Sequence, residues 1–164
     1  MAFPTYYLKT VLDILPEWVI GQGKKAILLD LDNTILPRDT NLVSPDIFEW
    51  VQRIKAAGIE VCLVSNNWHE RVQTVADQLG CRLVDKAIKP LPPAFVLGLW
   101  RCRCWPWQAI VVGDQVFTDV VGGTLLGMKT IMVLPLAAFD LKHTLLLRHL
   151  EKLVIRDRKP LESL

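Results

Sequence analysis

Apolar and polar positions fall along this chain in short blocks, and the blocks predict a repeating strand, helix, strand order. Ala26 to Leu29 is apolar throughout and gives way at once to polar residues, the pattern of a strand buried on both faces. Ser44 and Pro45 read as an N-cap and a first helical residue. Ile47, Phe48, Val51 and Ile54 then give a helix to about Ala57 one apolar side, and Gly58 stops it. Ile59 to Val64 predicts a second strand ending at Ser65-Asn66-Asn67. A helix from about Glu70 to Leu79 turns Val72, Val75, Ala76 and Leu79 inward, and Arg82 to Val84 is a short third strand. Pro90, Pro92 and Pro93 open a helix from Ala94 to about Arg101, and Ala109 to Val112 is a fourth strand. A short helix from Thr118 precedes Gly127, and Thr130 to Leu134 closes the series. This order predicts the α/β class, a mostly parallel sheet flanked by helices on both faces. Such sheets bind ligands beyond the carboxyl ends of their strands, where strand order reverses.

Two terminal segments and one internal segment are unusually greasy. Phe3, Tyr6, Tyr7, Leu8, Val11, Leu12 and Leu15, extended by Trp18 and Val19, predict an amphipathic helix over about 4–19. Leucines on more than one side and a basic end predict another over about 139–155. Between them, Trp100, Trp105 and Trp107 crowd beside Arg101 and Arg103. Such segments suit an anionic membrane interface. They equally suit packing on the sheet or on a second subunit, which leaves a homodimer through the apolar terminal helices open.

Composition narrows the field. The 164 residues fit a single domain with a proper core. A net charge of +2 is too mild for the broad basic face of a nucleic-acid binder. The apolar share of 51% and the six Trp fit either a greasy surface or a well-filled core. Cys62, Cys81, Cys102 and Cys104 make no disulfide framework, and the alternating Cys102 and Cys104 are a weak zinc spacing, so reduced thiols in an intracellular compartment are expected. No apolar run reaches spanning length, and the opening stretch lacks the basic start and long apolar centre of a secretion signal. His69, His143 and His149 have no partner at a metal spacing.

The chemistry lies where strands end. Asp30 follows the first apolar run, Asp32 stands two residues on, Ser65 ends the second strand and Asp114 the fourth. In a parallel sheet all of these gather on one rim. Neighbouring carboxylates repel unless a cation intervenes, so Asp30, Asp32 and Asp114 form an oxygen site of the kind Mg²⁺ prefers. Lys89 stands opposite to neutralise an anion, and Ser65 with the amides near Asn66 can take phosphate oxygens. This set suits phosphoryl transfer, with a carboxylate as acceptor. Taken singly, Asp32-Asn33-Thr34 is also a turn, Lys89 a solvated loop residue and Gly113-Asp114 a strand-to-turn junction.

Asp30-Leu31-Asp32-Asn33-Thr34, Ser65, Lys89-Pro90 and Gly113-Asp114-Gln115-Val116-Phe117-Thr118-Asp119 together resemble, in order and spacing, the four motifs of the haloacid dehalogenase-like phosphatase superfamily. The stretches "LPEWVIGQGKKAILLDLDNTI", "VSNN" and "KPLPPAF" resemble its small phosphatidylglycerophosphatase branch, with mitochondrial, plastid and bacterial members. The resemblance implies a Rossmann-like fold and an Mg²⁺-dependent monoesterase that is peripheral to a membrane. Asp30 is then the nucleophile and a metal ligand. Asp32 is general acid and base, with its backbone carbonyl on the metal. Asp114 is a further metal ligand, and Asp119 supports the metal or Asp114, or is merely an acid at a helix start. Thr34, Ser65 and Lys89 are implied to hold the phosphoryl oxygens, with Asn66 as a further contact and Asn67 as a helix cap. Thr34 is followed here by Ile35 and Leu36, where many members have Leu or Phe and Gly.

The resemblance also raises the question of a cap domain. The ten residues from Ile35 to Ser44 are too few for one, and the 23 between Ser65 and Lys89 are mostly consumed by a helix and a strand. An open site without a cap is expected, suited to a phosphate on something large, here a phospholipid at a membrane surface. The competing expectations are a soluble phosphatase for nucleotides or other small esters, and a catalytically idle scaffold. The scaffold is disfavoured because every residue the chemistry needs is present.

Overall fold

A computed structural model describes residues 3–68, 70–137 and 159–164. Six parallel strands form one sheet: β1 (Tyr6–Leu8), β2 (Ala26–Leu29), β3 (Glu60–Val64), β4 (Arg82–Val84), β5 (Ala109–Gly113) and β6 (Lys129–Val133). Their order across the sheet is β1-β6-β5-β2-β3-β4. The chain runs outward from β2 through β3 to β4, then returns to the other side of β2 with β5. Strand order therefore reverses between β2 and β5, which pair in register from Ala26↔Ala109 to Leu29↔Val112. A ligand site is expected above this point.

Alternation along the central strands makes two cores. Ile27, Leu29, Val61, Leu63, Ile110 and Val112 face one side, against Val51 and Ile54 of α2 (Pro45–Ala56) and Val72, Val75 and Leu79 of α3 (Glu70–Leu79). Leu28, Cys62, Val64 and Val111 face the other, against Ala94, Phe95 and Leu99 of α4 (Pro92–Arg101). Both faces of β2 and β5 are buried along their length, and those two strands carry no polar side chain. The Ser44 hydroxyl accepts the Ile47 N–H at the start of α2, as its place before Pro45 predicts.

The N-terminal stripe corrects the reading of a helix over 4–19. Tyr6–Leu8 is an edge strand paired with β6, Thr10 caps a single 3₁₀ turn (Val11–Asp13), and only Pro16–Gly21 is helical, as α1. The physical reason is Pro16. It would break the interior of a longer helix and holds Leu15 extended, but it fits the first helical position of α1. Leu8, Val11, Ile14 and Val19 go into the core, and Trp18 packs edge-on against Tyr6. The predicted helix over 139–155 lies outside the described residues, as do His69, His143 and His149. No helix among the described residues is long and apolar enough to cross a membrane. The segments 35–44 and 66–88 hold no inserted domain at their described positions.

Candidate active site

The rim above β2 and β5 is built by the turns that leave those strands. The Asp30 N–H donates to Val112 O at 2.8 Å, which fixes the first residue after β2 against β5. Asn33 then adopts a φ of 64°, a left-handed conformation that Asn tolerates better than most residues, and the turn folds back so that the Asn33 N–H reaches Leu36 O at 2.7 Å. This return delivers the Thr34 hydroxyl to Asp30 Oδ2, to which it donates at 2.9 Å.

After β5 the chain makes a wide π-helical turn, Val116–Val120, before α5 (Val121–Leu125). Such turns recur at functional sites, and this one swings Asp119 back beneath the strand end. Asp119 Oδ2 accepts the Gln115 N–H at 3.3 Å and the Thr118 hydroxyl at 3.1 Å. A Cβ on Gly113 would lie 2.2 Å from the Asp119 carboxyl carbon, so a side chain there would push the carboxylate out of place.

Asp30, Asp114 and Asp119 consequently present one oxygen each within 4.8 Å of one another, all three buried. Lys89 enters from the loop after β4. Its Nζ donates to Asp30 Oδ1 at 2.5 Å and to Asp119 Oδ1 at 2.7 Å, with only 3% of the side chain exposed. Burial above all, set against the neighbouring charges, leaves the Asp30 carboxyl raised to about 6. Of those charges Lys89 lowers it, while Asp119 and Asp32 add repulsion. Burial works to lower the Lys89 ammonium, but Asp119 and Asp30 outweigh it and hold the group above the ordinary lysine range.

The donor set fits a hard divalent cation. It offers only carboxylate oxygens, the chemistry such ions prefer. Three carboxylates against one ammonium leave a charge of −2 when all are ionised. Among the described residues this is the one grouping of acid, His and Cys side chains able to hold a metal. The four thiols are free and take no part.

Asp32 is placed differently from its sequence position in the acid cluster. Its side chain is outside the carboxylate grouping able to hold a metal, which Asp119 completes instead. Arg71 Nη1 pairs with Asp32 Oδ1 at 2.5 Å, and Asn67 Nδ2 donates to Asp32 Oδ2 at 3.2 Å. The same guanidinium donates to Thr40 O at 2.5 Å and to Pro37 O at 2.7 Å, tying the loop after β2 to α3. Neither Arg71 nor the role of Asn67 was legible in sequence. A basic residue in the first turn of an amphipathic helix reads as a solvated charge, and an Asn before a helix reads as its cap.

The remaining predicted residues sit on the same rim. Ser65 is buried, and its Oγ accepts the Asn67 N–H at 3.1 Å. Asn66 turns to Lys89 instead of into the site. Its Oδ1 accepts the Lys89 N–H at 2.6 Å and its Nδ2 donates to Lys89 O at 3.3 Å, so it positions the lysine-bearing loop.

Fold and site together define an α/β protein with a buried carboxylate cluster at the switch point of a parallel sheet. Its relatives agree. The haloacid dehalogenase-like hydrolases match residues 12–127, and the chain belongs to that family. It is 36% identical over 137 residues to "Probable phosphatase YqeG" of Bacillus subtilis (strain 168), spanning 84% of this chain and 80% of that protein. It is 24% identical over 132 residues to "Phosphatidylglycerophosphate phosphatase 1, chloroplastic/mitochondrial" of Arabidopsis thaliana, covering 74% of this chain but 38% of the other. Among solved structures, an uncharacterized protein from Listeria monocytogenes serotype 4b shares the fold. Its TM-score is 0.55 at 16% identity, over 71% of this chain and 85% of that one. A HAD phosphatase from Thermococcus onnurineus does so with a TM-score of 0.51 at 20% identity, over 61% and 50%.

Proposed function

We propose that the protein is an Mg²⁺-dependent phosphate monoester hydrolase whose substrate is phosphatidylglycerophosphate and whose product is phosphatidylglycerol. The observation that carries the reading is the uncapped triad of Asp30, Asp114 and Asp119 around the buried Lys89. The lipid assignment is supported by the lack of an inserted domain at the described positions of 35–44 and 66–88 and by the similarity to the Arabidopsis enzyme. A peripheral position at a bacterial or organellar membrane accords with that substrate.

Asp30, Asp114 and Asp119 would hold Mg²⁺, which when bound neutralises the cluster and the incoming phosphate. The remaining chemistry belongs to the chain. An Asp30 oxygen attacks phosphorus from the side opposite the ester oxygen. The new Asp30 O–P bond forms as the P–O bond to glycerol breaks, and Asp32 gives its proton to the departing oxygen. Asp32, now ionised, takes a proton from water. The hydroxyl oxygen attacks phosphorus, the Asp30 O–P bond breaks, and inorganic phosphate leaves. Arg71 and Asn67 set the carboxylate of Asp32, and the Thr34 hydroxyl sets that of Asp30.

The test is phosphate release from phosphatidylglycerophosphate in mixed micelles, with Mg²⁺ or EDTA, beside soluble phosphate esters and the variant Asp30→Asn. Release from the lipid that needs Mg²⁺, is weak on soluble esters and is lost in Asp30→Asn is the expected result. Release from soluble esters alone would remove the lipid substrate, and no release from anything would overturn the enzymatic reading.

A further inference from the structure

A helix that is apolar all round is normally buried all round. α4 is not. Its inner side, Ala94, Phe95, Gly98 and Leu99, packs on the sheet, where Gly98 would place a Cβ 3.1 Å from Leu28. Its outer side is Pro93, Val96, Leu97 and Trp100, all exposed, with Trp100 at 74%. No polar side chain interrupts that face.

The strip continues beyond both ends of the helix. Just before the helix in the chain come Ile88 and Leu91, exposed to 59% and 54% on either side of Lys89-Pro90. Ile88 holds a φ of 51°, a strained choice for a β-branched residue, and it is kept outward beside the catalytic lysine. Trp68, on the loop after β3, is 68% exposed and has Lys86 Nζ 5.8 Å from its ring centroid. At the far end Trp105 and Trp107 stack with centroids 5.3 Å apart, both exposed. Ten helical residues span about 15 Å, and exposed apolar residues stand before, along and after α4 in the chain.

Charge selects the occupant. From Lys86 to Gly113 the chain has no Asp or Glu, while Lys86, Arg101 and Arg103 flank the band. A second copy seated here by a twofold axis would bring these cations together. An anionic bilayer would compensate them, and Trp rings at both ends suit the headgroup level. We propose that the outer face of α4 lies flat on an anionic phospholipid bilayer, with the catalytic mouth at the helix start held edge-on to the headgroups. The choice of a bilayer rests on the lipid-phosphatase reading above.

The experiment is co-sedimentation with vesicles of equal parts phosphatidylglycerol and phosphatidylcholine, against phosphatidylcholine alone. The variants are Val96→Glu with Trp100→Glu, and Lys86→Glu with Arg103→Glu. Each is assayed on a soluble phosphate ester, and its mass is measured in solution. The protein should bind the mixed vesicles, release with rising salt and ignore the neutral ones. Either double variant should lower binding by about tenfold or more and leave soluble-ester turnover unchanged. Absence of vesicle binding, unchanged binding by the variants, or a dimer that Val96→Glu with Trp100→Glu splits would overturn the proposal. Vesicle binding without release from phosphatidylglycerophosphate would remove the substrate and keep the docking face. Release from micelles without vesicle binding would do the reverse.

Discussion

Replacing Lys89 by Met tests the electrostatic account of the site most directly. Met keeps most of the chain length and removes the charge together with its N–H donors. Two ion pairs vanish together, at 2.5 and 2.7 Å, between side chains that are at most 10% exposed. Deleting one partner of a buried pair costs about 3–5 kcal/mol, because the other charge stays behind unpaired. For a chain of this size that is a melting-point loss on the order of 10 °C. The pH dependence sharpens the test. The folded-state pKa of Asp30, about 6, lies above the ordinary aspartate value of 3.8, so the folded state holds the proton more tightly. In metal-free protein its ionisation therefore weakens the fold as pH rises between those values. Lys89 opposes that shift, so in Lys89→Met the window moves to higher pH. Thermal melts in EDTA should show a smaller deficit near pH 5 than at pH 8, since the Asp30 pair contributes less at the lower pH. Equal stability of parent and variant at pH 8, or a larger deficit at pH 5, would refute the reasoning.

Arg71→Ala should leave the fold intact and lower kcat by about ten- to a hundredfold with little change in KM, since a mispositioned acid and base loses part of its typical contribution; steady-state kinetics on the lipid would read it. Ser65→Ala should raise KM for the phosphate ester, whereas Thr34→Val, which removes the bond to Asp30 Oδ2, should act mainly on kcat. Burial lifts the Cys81 and Cys104 thiols to about 11 each, so both should react slowly with a disulfide reagent at pH 8 and about tenfold faster per pH unit above it. Rapid labelling at pH 8 would contradict their surroundings.

Most of the sheet was legible because strands buried on both faces leave uninterrupted apolar runs, and β2, β3 and β5 carry such runs. β1 escaped because three residues, Tyr-Tyr-Leu, fit a helical stripe as well as a strand. Only the long-range pairing Tyr6↔Ile131 decides between them, and no local pattern encodes it. The strand-end acids were legible for the converse reason, that a carboxylate directly after a buried strand calls for a partner. The choice of Asp119 over Asp32 as third member of the side-chain group was not, because it depends on a π-helical turn and on the space left by Gly113. Arg71 was invisible because its partners Asp32, Pro37 and Thr40 lie more than thirty residues away.

Counting donors shows what is left for a substrate. Two of the three Lys89 N–H groups point at Asp30 and Asp119, and the Thr34 hydrogen is given to Asp30. The Ser65 oxygen already accepts the Asn67 N–H, so its own hydrogen is the one left to donate outward. Arg71 answers Asp32 and two carbonyls and has little to offer an anion. A phosphate monoester, carrying about −1.5 to −2 near neutral pH, would thus meet few donors and a cluster with one positive charge too few for each of two carboxylates. The cluster must gain positive charge before the ester can be held. Affinity for inorganic phosphate, read by calorimetry with Asp30→Asn as a second sample, should therefore be measurable in Mg²⁺ and lost in EDTA. Asp30→Asn, with one negative charge fewer, should retain some of that affinity in EDTA. Equal phosphate binding by the parent protein with and without the cation would mean that the site is not short of positive charge, and the account of Lys89 would fall with it.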